Sequence, residues 1–174
     1  YYREDYEGTH QGEVVLKCEN LTGRGIVKDV SFELHKGEIL GIGGLTDCGM
    51  HEIGRLLFGI EKPLMGKVTL ADGTVIRNPV DAVKKSMGYV SKNRDVEALM
   101  LGNSIKNNIT LPSLRSMKRF GMVTKKREKT LALAQAESLN IKCSSINQIV
   151  NTLSGGNKQT VVFGKWIGKD ADIL

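Results

Sequence analysis

The segment Leu153-Ser-Gly-Gly-Asn-Lys-Gln159 decides how this chain is interpreted. A serine followed by glycines is typical of a helix start, because the serine hydroxyl can cap the first free backbone amides. Glycine costs on the order of 1 kcal/mol against alanine within a helix, so two of them in a first turn indicate a function rather than a plain cap. The helix that follows is predicted to bury one face, formed by Val161, Val162, Lys165 and Trp166.

A second glycine-rich segment occurs much earlier in the chain. The apolar run 38–44 predicts a buried strand, and residues 50–59 carry apolar residues at helical spacing and stop at Gly59. A strand, a glycine-rich loop and a helix form an arrangement that cradles phosphates, because the loop amides and the helix N-terminus point at the anion. The candidate phosphate loop consists of Gly44, Leu45, Thr46, Asp47, Cys48, Gly49, Met50 and His51.

This loop departs from the phosphate-binding pattern GxxxxGK[ST] at the two positions whose side chains contact phosphate and Mg²⁺. Met50 stands where a lysine neutralises phosphate charge, and His51 stands where a hydroxyl ligates Mg²⁺. Asp47 adds a negative charge that repels phosphate. Taken by itself, the segment is equally compatible with a glycine-rich turn that binds nothing.

The remaining elements predict a mixed α/β chain. Alternating apolar residues and the Asp72-Gly73 turn predict a small antiparallel sheet from residues 13–35 and 66–76. Asn78 is expected to cap a helix that runs to about Ser86. Further short strands are predicted at 87–90 and 172–174, and helices at 105–109, 114–120 and 124–139.

Composition narrows the class of protein. The chain has 174 residues, 40% of them hydrophobic and 25% charged, which is typical of one globular domain. Neither a membrane-spanning run nor a signal peptide is recognisable, so a cytoplasmic location is expected. Cys18, Cys48 and Cys143 are predicted to be reduced thiols.

Residues 106–129 carry eight basic residues against Glu128 alone, a charge pattern that fits an anionic partner or a solvated surface equally well.

Five segments together carry a resemblance to a known family: EILGIGG at 38–44, RLLFGI at 55–60, MGYVSKNR at 87–94, NNITLPSL at 107–114 and LSGGNKQ at 153–159. In this order they resemble the second nucleotide-binding domain of the tandem ABC ATPases that import ribose, galactose and xylose in bacteria. The resemblance covers nearly all of residues 13–174, and a degenerate phosphate loop is usual in that domain. It implies an α/β P-loop ABC ATPase domain with an antiparallel β subdomain and an inserted helical subdomain, truncated in its Walker B strand.

The resemblance also implies an organisation and site residues. Residues 1–12 would be a tail, 13–92 the P-loop core and sheet, 93–150 the helical subdomain, and 151–174 the signature helix and the start of Walker B. No catalytic residue and no metal ligand would lie within the chain, and Lys92 occupies the Q-loop position. The signature would contact ATP held by a partner's P-loop, through Leu153, Ser154, Gly155, Gly156, Asn157 and Gln159.

The implied cofactor is ATP with Mg²⁺, bound weakly or not at all at this domain's own loop. The implied partners are another ABC domain, membrane permease subunits and, indirectly, a periplasmic or lipoprotein sugar-binding protein, with no nucleic acid. The chain would then lie at the cytoplasmic face of the cell membrane. Two alternatives stay open: a non-catalytic regulatory or scaffold module that has lost nucleotide binding altogether, and an ABC-type ATPase that acts on nucleic acid.

Overall fold

The computed structural model describes residues 12–119 and 121–174, so the predicted tail at 1–12 lies outside the described residues except for Gly12. The chain divides into two compact units, residues 1–82 and 83–174. Within the described residues, no helix is both long and apolar enough to cross a bilayer. Each unit has its own buried apolar core.

The first unit contains a three-stranded antiparallel sheet. Its strands are β1 (Val14–Thr22), β2 (Val30–His35) and β3 (Met65–Leu70), in the order β2-β1-β3. Cys18 of the central strand pairs with Phe32 on one side and with Val68 on the other. The predicted antiparallel sheet is therefore confirmed.

Alternation along the strands separates an apolar face from a charged one, as a half-buried sheet requires. On the apolar face, burial raises the pKa of the Cys18 thiol to about 11, with a smaller contribution from the charge of Glu19. On the opposite face Lys17 Nζ lies 3.3 Å from Glu33 Oε1 in the neighbouring strand. All three cysteines are free thiols, as expected from the sequence.

The turn at Asp72-Gly73 forms as predicted, although little of the second hairpin strand does. Gly73 has φ 80°, and Asp72 Oδ1 accepts a hydrogen bond of 2.9 Å from the backbone of Thr74. The segment predicted as a strand at 74–76 is reduced to one bridge, between Thr69 and Val75.

Two helices follow, one within the first unit and one across its last residues, and local signals set their ends. Helix α1 (Met50–Leu57) is followed by Gly59 at φ 77°, the predicted glycine terminator. Helix α2 (Pro79–Lys84) begins where the Asn78 side chain accepts a hydrogen bond of 3.0 Å from the Asp81 amide. It ends before the predicted Ser86, because that residue adopts φ 55° and leaves the helical region.

The buried strand predicted at 38–44 is wrong for this structure. These residues have no regular secondary structure, and Ile39 and Ile42 are 82% and 41% exposed. An apolar run becomes a buried strand only when neighbouring strands accept its hydrogen bonds and cover its faces. No strand of the described residues pairs with this segment.

The second unit is mainly helical, as the sequence predicts for residues 93–150. Its α-helices are α3 (Ile105–Thr110), α4 (Lys125–Ser138) and α5 (Gly155–Ile167). A π-helical turn covers Arg94–Ala98, and 3₁₀ turns cover Leu111–Ser113 and Val150–Thr152. The three α-helices begin with the hydroxyl caps Ser104, Thr124 and Ser154.

A buried amide joins helix α3 to the loop before it. Asn108 is fully buried, and its Oδ1 accepts a hydrogen bond of 2.8 Å from the Met100 amide. Its Nδ2 donates to the backbone oxygens of Met100 and Ser104, at 3.0 and 3.1 Å. Because every polar atom of this side chain has a partner, its burial costs little and fixes the loop.

Three predicted elements of the second unit are wrong or only partly formed. The helix expected at 114–120 is a turn at 114–117 followed by a bridge between Arg119 and Met122, and residue 120 lies outside the described residues. The strands expected at 87–90 and 172–174 are reduced to one parallel bridge between Met87 and Ile173. Gly121 at φ 81° turns the chain back before α4 and leaves no room for a continuing helix.

Replacing Gly59 with alanine is expected to destabilise the chain far more than replacing Gly73. Both glycines have positive φ, which costs other residues about 1–2 kcal/mol. A Cβ at Gly59 would also lie 2.8 Å from the backbone of Asn78, whereas one at Gly73 meets nothing within 4 Å. Chemical denaturation should show a loss of about 3–5 kcal/mol for Gly59→Ala and about 1–2 kcal/mol for Gly73→Ala. Equal losses would contradict the packing of Gly59 against Asn78.

Candidate functional site

The candidate phosphate loop forms a tight turn at the start of α1. Asp47 and Gly49 have φ 63° and 87°, and the Cys48 amide donates a 3.1 Å hydrogen bond to the Leu45 oxygen. A Cβ at Gly44 would lie 2.5 Å from Cys48 Sγ, so a larger residue there would require the Cys48 side chain to move. Crowding by the Cys48 side chain therefore favours glycine at position 44 whether or not a ligand binds.

The N-terminus of α1 lacks a side-chain cap. Gly49 occupies the cap position and makes no side-chain hydrogen bond to the first turn. Met50 is half-buried and His51 is exposed. No hydrogen bond or ion pair of the described residues brings a lysine or arginine to residues 44–51. The loop therefore presents backbone amides to an anion, but no cation.

Glu52, in the first turn of α1, binds the backbone of a neighbouring loop. Its carboxylate accepts hydrogen bonds from the amides of Gly25, Ile26 and Val27, at 2.8, 2.9 and 3.3 Å. Gly23, in the same loop, packs so closely on this carboxylate that a Cβ there would overlap it. The loop at 23–27 is thus held directly beside the start of α1.

The pKa of Glu52 reflects these contacts. Burial of the carboxylate raises its pKa, but the three amides of Gly25, Val27 and Ile26 outweigh burial and lower the pKa below its usual value. Hydrogen bonds to the ionised form have this effect because protonation removes acceptor capacity. Glu52 is therefore ionised at neutral pH, and its charge adds to that of Asp47 in the sequence around the loop.

The signature segment lies at the start of α5. Ser154 is the cap, and its Oγ accepts hydrogen bonds from the Asn157 backbone and side chain, at 3.5 and 3.1 Å. Asn157 Oδ1 in turn accepts a 3.0 Å hydrogen bond from the Lys142 amide. Leu153 is buried and anchors the segment, while residues 154–156 are exposed.

The two signature glycines have different surroundings. A Cβ at Gly156 would meet nothing within 4 Å, so there is open space on that side of the helix start. A Cβ at Gly155 would lie 3.0 Å from Arg94 Nη2. Gly155 therefore leaves room for a guanidinium group beside the helix N-terminus.

Arg94 and its neighbours connect the π-helical turn to α5. Arg94 Nη1 donates to Gln159 Oε1 over 3.4 Å, and its Nε lies 3.5 Å from Asp95 Oδ1 without hydrogen-bond geometry. Asp95 Oδ2 accepts a 3.2 Å hydrogen bond from Lys158 Nζ. The signature segment is thus surrounded by two cations and one carboxylate.

Lys165 also bonds to the π-helical turn, but from within the core of the second unit. Its side chain is buried, its Nζ donates to the Ala98 oxygen, and it lies 5.9 Å from the Trp166 ring centre. Burial lowers the pKa of this amine to about 8. Trp166 Nε1 donates a 2.8 Å hydrogen bond to the Tyr89 oxygen. The predicted buried face of α5, which includes Val161 and Val162, is confirmed.

Lys92, at the predicted Q-loop position, is exposed. The neighbouring side chain of Ser91 is buried, and it donates a hydrogen bond to Glu97 and accepts one of 3.1 Å from the Asn93 amide. The ordered contacts of this segment thus involve Ser91 and Arg94 rather than Lys92. Residues 12–119 and 121–174 contain no group of three or more His, Cys, Asp or Glu that could hold a metal ion.

Sequence reasoning missed four residues that shape these regions: Glu52, Arg94, Asp95 and Lys158. Their partners lie far away in sequence, 65 positions in the case of Arg94 and Gln159. One signal was present, since a carboxylate in the first turn of a helix suits the helix dipole. It does not indicate that Glu52 binds residues 25–27.

The class of protein follows from a family model together with the fold. The model of the ABC transporter family matches residues 27–174, and the chain belongs to that family. Members use ATP with Mg²⁺. The predicted fold class, an α/β ABC ATPase domain with a small antiparallel sheet and a helical part, is confirmed by similar solved structures.

Curated relatives are similar over nearly the whole chain. The ribose import ATP-binding proteins of Bacillus subtilis and of Streptococcus agalactiae serotype Ia are each 40% identical, over 94% and 100% of this chain. A putative ribose/galactose/methyl galactoside import ATP-binding protein of Rhizobium meliloti is 36% identical over 96% of it. The chain spans about a third of the length of these relatives, 33–35%.

Solved structures support the fold alone, because their sequence identity is low. A dimeric ATP-binding cassette in a post-hydrolysis state with ADP and Pi has a TM-score of 0.72 at 20% identity, covering 89% of this chain and 70% of that one. The cbiO1 protein of Clostridium perfringens, part of the ABC transporter complex cbiONQ, has a TM-score of 0.67 at 18% identity. Its match covers 91% of this chain and 62% of that one.

Replacing Glu52 with glutamine is expected to lower the free energy of unfolding by about 1–3 kcal/mol at neutral pH, since charge-assisted hydrogen bonds to three amides are weakened. The folded-state pKa lies below its usual 4.5, so the stabilisation is present above that pH. It is lost as pH falls through the folded-state pKa. Urea denaturation across acid pH should show the two proteins converging.

Glu33→Gln is the matched control, because the exposed pair of Glu33 with Lys17 contributes little. If Glu52→Gln changed stability no more than Glu33→Gln, or if its deficit did not shrink in acid, the proposed role of the carboxylate would be wrong.

Replacing Lys165 with methionine is expected to remove a pH dependence of stability. The folded-state pKa is about 8 and the usual value is 10.5, so the unfolded chain binds the additional proton between these values. Unfolding free energy of the parent protein should therefore rise across that window, by up to about 3 kcal/mol relative to Lys165→Met. Lys169→Met serves as the control. Parallel stability curves for the parent and Lys165→Met would contradict the burial of the amine.

Proposed function

We propose that this chain is the second nucleotide-binding domain of a tandem ABC ATPase that imports a simple sugar of the ribose type. In this assignment its signature segment, Leu153–Gln159, contacts ATP held by the P-loop of the first domain. Its own loop at 44–51 contributes little to hydrolysis. The protein would hydrolyse ATP only as an assembly.

The contrast between the two glycine-rich segments carries the proposal. The start of α5 has exposed glycines, a serine hydroxyl and two nearby cations, Arg94 and Lys158, which are offset in part by Asp95. Residues 44–51 at the start of α1 include no lysine or arginine and carry Asp47 instead. Because phosphates are anions, the first arrangement favours them and the second opposes them.

At the signature, the residues of this chain would bind and orient phosphate. The Ser154 hydroxyl and the amides of Gly155 and Gly156 lie at the positive end of a helix of 13 residues. A helix end stabilises a nearby negative charge by about 0.3–1 kcal/mol at an exposed surface, and by more when a partner excludes water. Asn157 keeps the serine in place through its two hydrogen bonds.

The residues at 44–51 do not fit ATP with Mg²⁺. The loop geometry offers amides, but His51 has no hydroxyl for the metal and Met50 cannot neutralise phosphate. No catalytic step is therefore assigned to this loop. Lys92, at the Q-loop position, has no oxygen to accept a bond from water on Mg²⁺, and it is proposed as a surface residue.

The partners proposed for the assembly come from the relatives. Proteins named for ribose import are 39–42% identical to this chain. The assembly would then include another ABC domain, membrane permease subunits and, indirectly, a sugar-binding protein outside the membrane. It would lie at the cytoplasmic face of the membrane, with 93–150 as the helical subdomain. No nucleic acid is required.

A regulatory module without ATP turnover is the second candidate, favoured by the missing cation at 44–51 alone. In that case the segment at 153–159 would not affect hydrolysis in the assembly. The same experiment separates the two.

Ser154→Arg is expected to lower ATP turnover of the assembled transporter by about 100-fold, because it removes a phosphate ligand and fills the open helix end. Ser154→Asp should have a similar effect although aspartate is a good helix cap, since its charge repels phosphate. Ser154→Asn retains the cap without the charge and should lose less. Met50→Ala should change turnover by no more than about twofold. Full turnover with Ser154→Arg would refute the proposal.

A further inference from the structure

A strongly basic bend lies between the 3₁₀ turn at 111–113 and the body of α4. Arg127 Nη1 donates a 2.9 Å hydrogen bond to the Met117 oxygen, which draws the start of α4 against the preceding turn. Two backbone hydrogen bonds join Arg119 and Met122. The described residues 115–119 and 121–129 thus fold back on each other, and we call these two segments the basic bend.

The cations of the basic bend are exposed and few are neutralised. Seven basic side chains are exposed: Arg115, Lys118, Arg119, Lys125, Lys126, Arg127 and Lys129. Within the described residues, no ion pair involves Arg115 or any of the four lysines. Glu128 is the only acidic residue of the segment. The charges of Arg115 and the four lysines therefore remain available to an external anionic surface.

The positions of three of these cations are unfavourable for the helix itself. Lys125, Lys126 and Arg127 occupy the first turn of α4, after the cap Thr124. The N-terminal end of a helix carries a partial positive charge, which favours acidic residues there and opposes cations. Placing three cations at this end weakens the helix, so the charge is better explained by an external partner than by stability.

An apolar side chain stands among the charges. Met122 is 71% exposed, and Gly121 at φ 81° turns the chain just before it. An exposed apolar residue flanked by basic ones is typical of surfaces that contact lipid, because the charges meet headgroups while the apolar group enters the interface. Nucleic acid would offer this methionine no comparable environment.

We propose that the basic bend binds the surface of a bilayer that contains anionic lipids. Lysines predominate among its unpaired cations, and lysine acts as a flexible point charge on a diffuse anionic surface. A structured acidic protein or a nucleic acid is better matched by arginines in fixed bidentate geometry. One arginine of the bend, Arg127, is engaged with the Met117 oxygen instead.

The inference does not depend on the nucleotide role of residues 153–159. It rests on the charge and exposure of residues 115–129, and its test needs neither ATP nor a partner protein. A failure here would leave the proposed function intact, and the reverse is also true.

The test is sedimentation of the 174-residue chain with vesicles of phosphatidylglycerol and phosphatidylcholine, compared with phosphatidylcholine alone. We expect at least about 100-fold stronger partitioning onto the anionic vesicles, weakened by salt. Each cation near the surface contributes about fivefold, so the triple variant Lys118→Gln, Lys125→Gln, Lys126→Gln should bind about 100-fold more weakly. Removing cations from the start of α4 should not unfold the protein.

A matched triple variant, Lys28→Gln, Lys36→Gln, Lys62→Gln, removes the same charge from exposed positions of the first unit and should bind within about threefold of the parent. Met122→Ser should weaken vesicle binding a few-fold and leave binding to a short single-stranded RNA unchanged. Equal losses in the two triple variants would overturn the proposal in favour of net charge alone. Binding to the RNA but not to anionic vesicles would overturn it in favour of a nucleic-acid surface.

Discussion

Helix α5 must present a bare N-terminus and still be fixed in position. Gly155 and Gly156 contribute no side chains, so the start is held by the buried Leu153 before them and by Asn157, whose Oδ1 accepts a hydrogen bond from the Lys142 amide. The helix is also fixed along its length: the π-helical turn Arg94–Ala98 contacts Gln159, Lys158 and Lys165 in succession. Farther along, Trp166 bonds to the Tyr89 backbone. The position of the signature thus depends on contacts made at and beyond the first turn, which leave the helix end accessible.

The start of α1 differs, because a polar group of its first turn binds another part of the protein. The Glu52 carboxylate accepts hydrogen bonds from the backbone amides of residues 25–27. Asp47 adds a second negative charge in the loop sequence. The two helix starts both contain glycines, but their backbones differ: Gly49 caps α1 at φ 87° without a side-chain hydrogen bond, whereas Ser154 caps α5 at φ −62° through its hydroxyl. Cap geometry and the surrounding charges together distinguish their proposed roles.

Much of the fold could be predicted because its signals are local. The alternation in β1 and β2, the Asp72-Gly73 turn and the cap at Ser154 each require only neighbouring residues. The segment 38–44 could not be predicted this way, because an apolar run becomes a strand only beside other strands.

In the candidate sites, too, local sequence signals could be predicted and contacts between distant residues could not. The glycine segments at 44–51 and 153–159 were recognisable as sequences, but their surroundings were not. Arg94 and Glu52 bond to residues 65 and about 25 positions away, and no periodicity of the sequence predicts such a pairing.

The backbone of Asp47 has a further consequence for the loop at 44–51. Its φ of 63° suits glycine better than aspartate, so exchanging it for glycine would remove a charge and a strained backbone at once. After that exchange Met50 would still supply no cation and His51 no hydroxyl, so the one change alone would not give the loop the groups that bind phosphate and Mg²⁺.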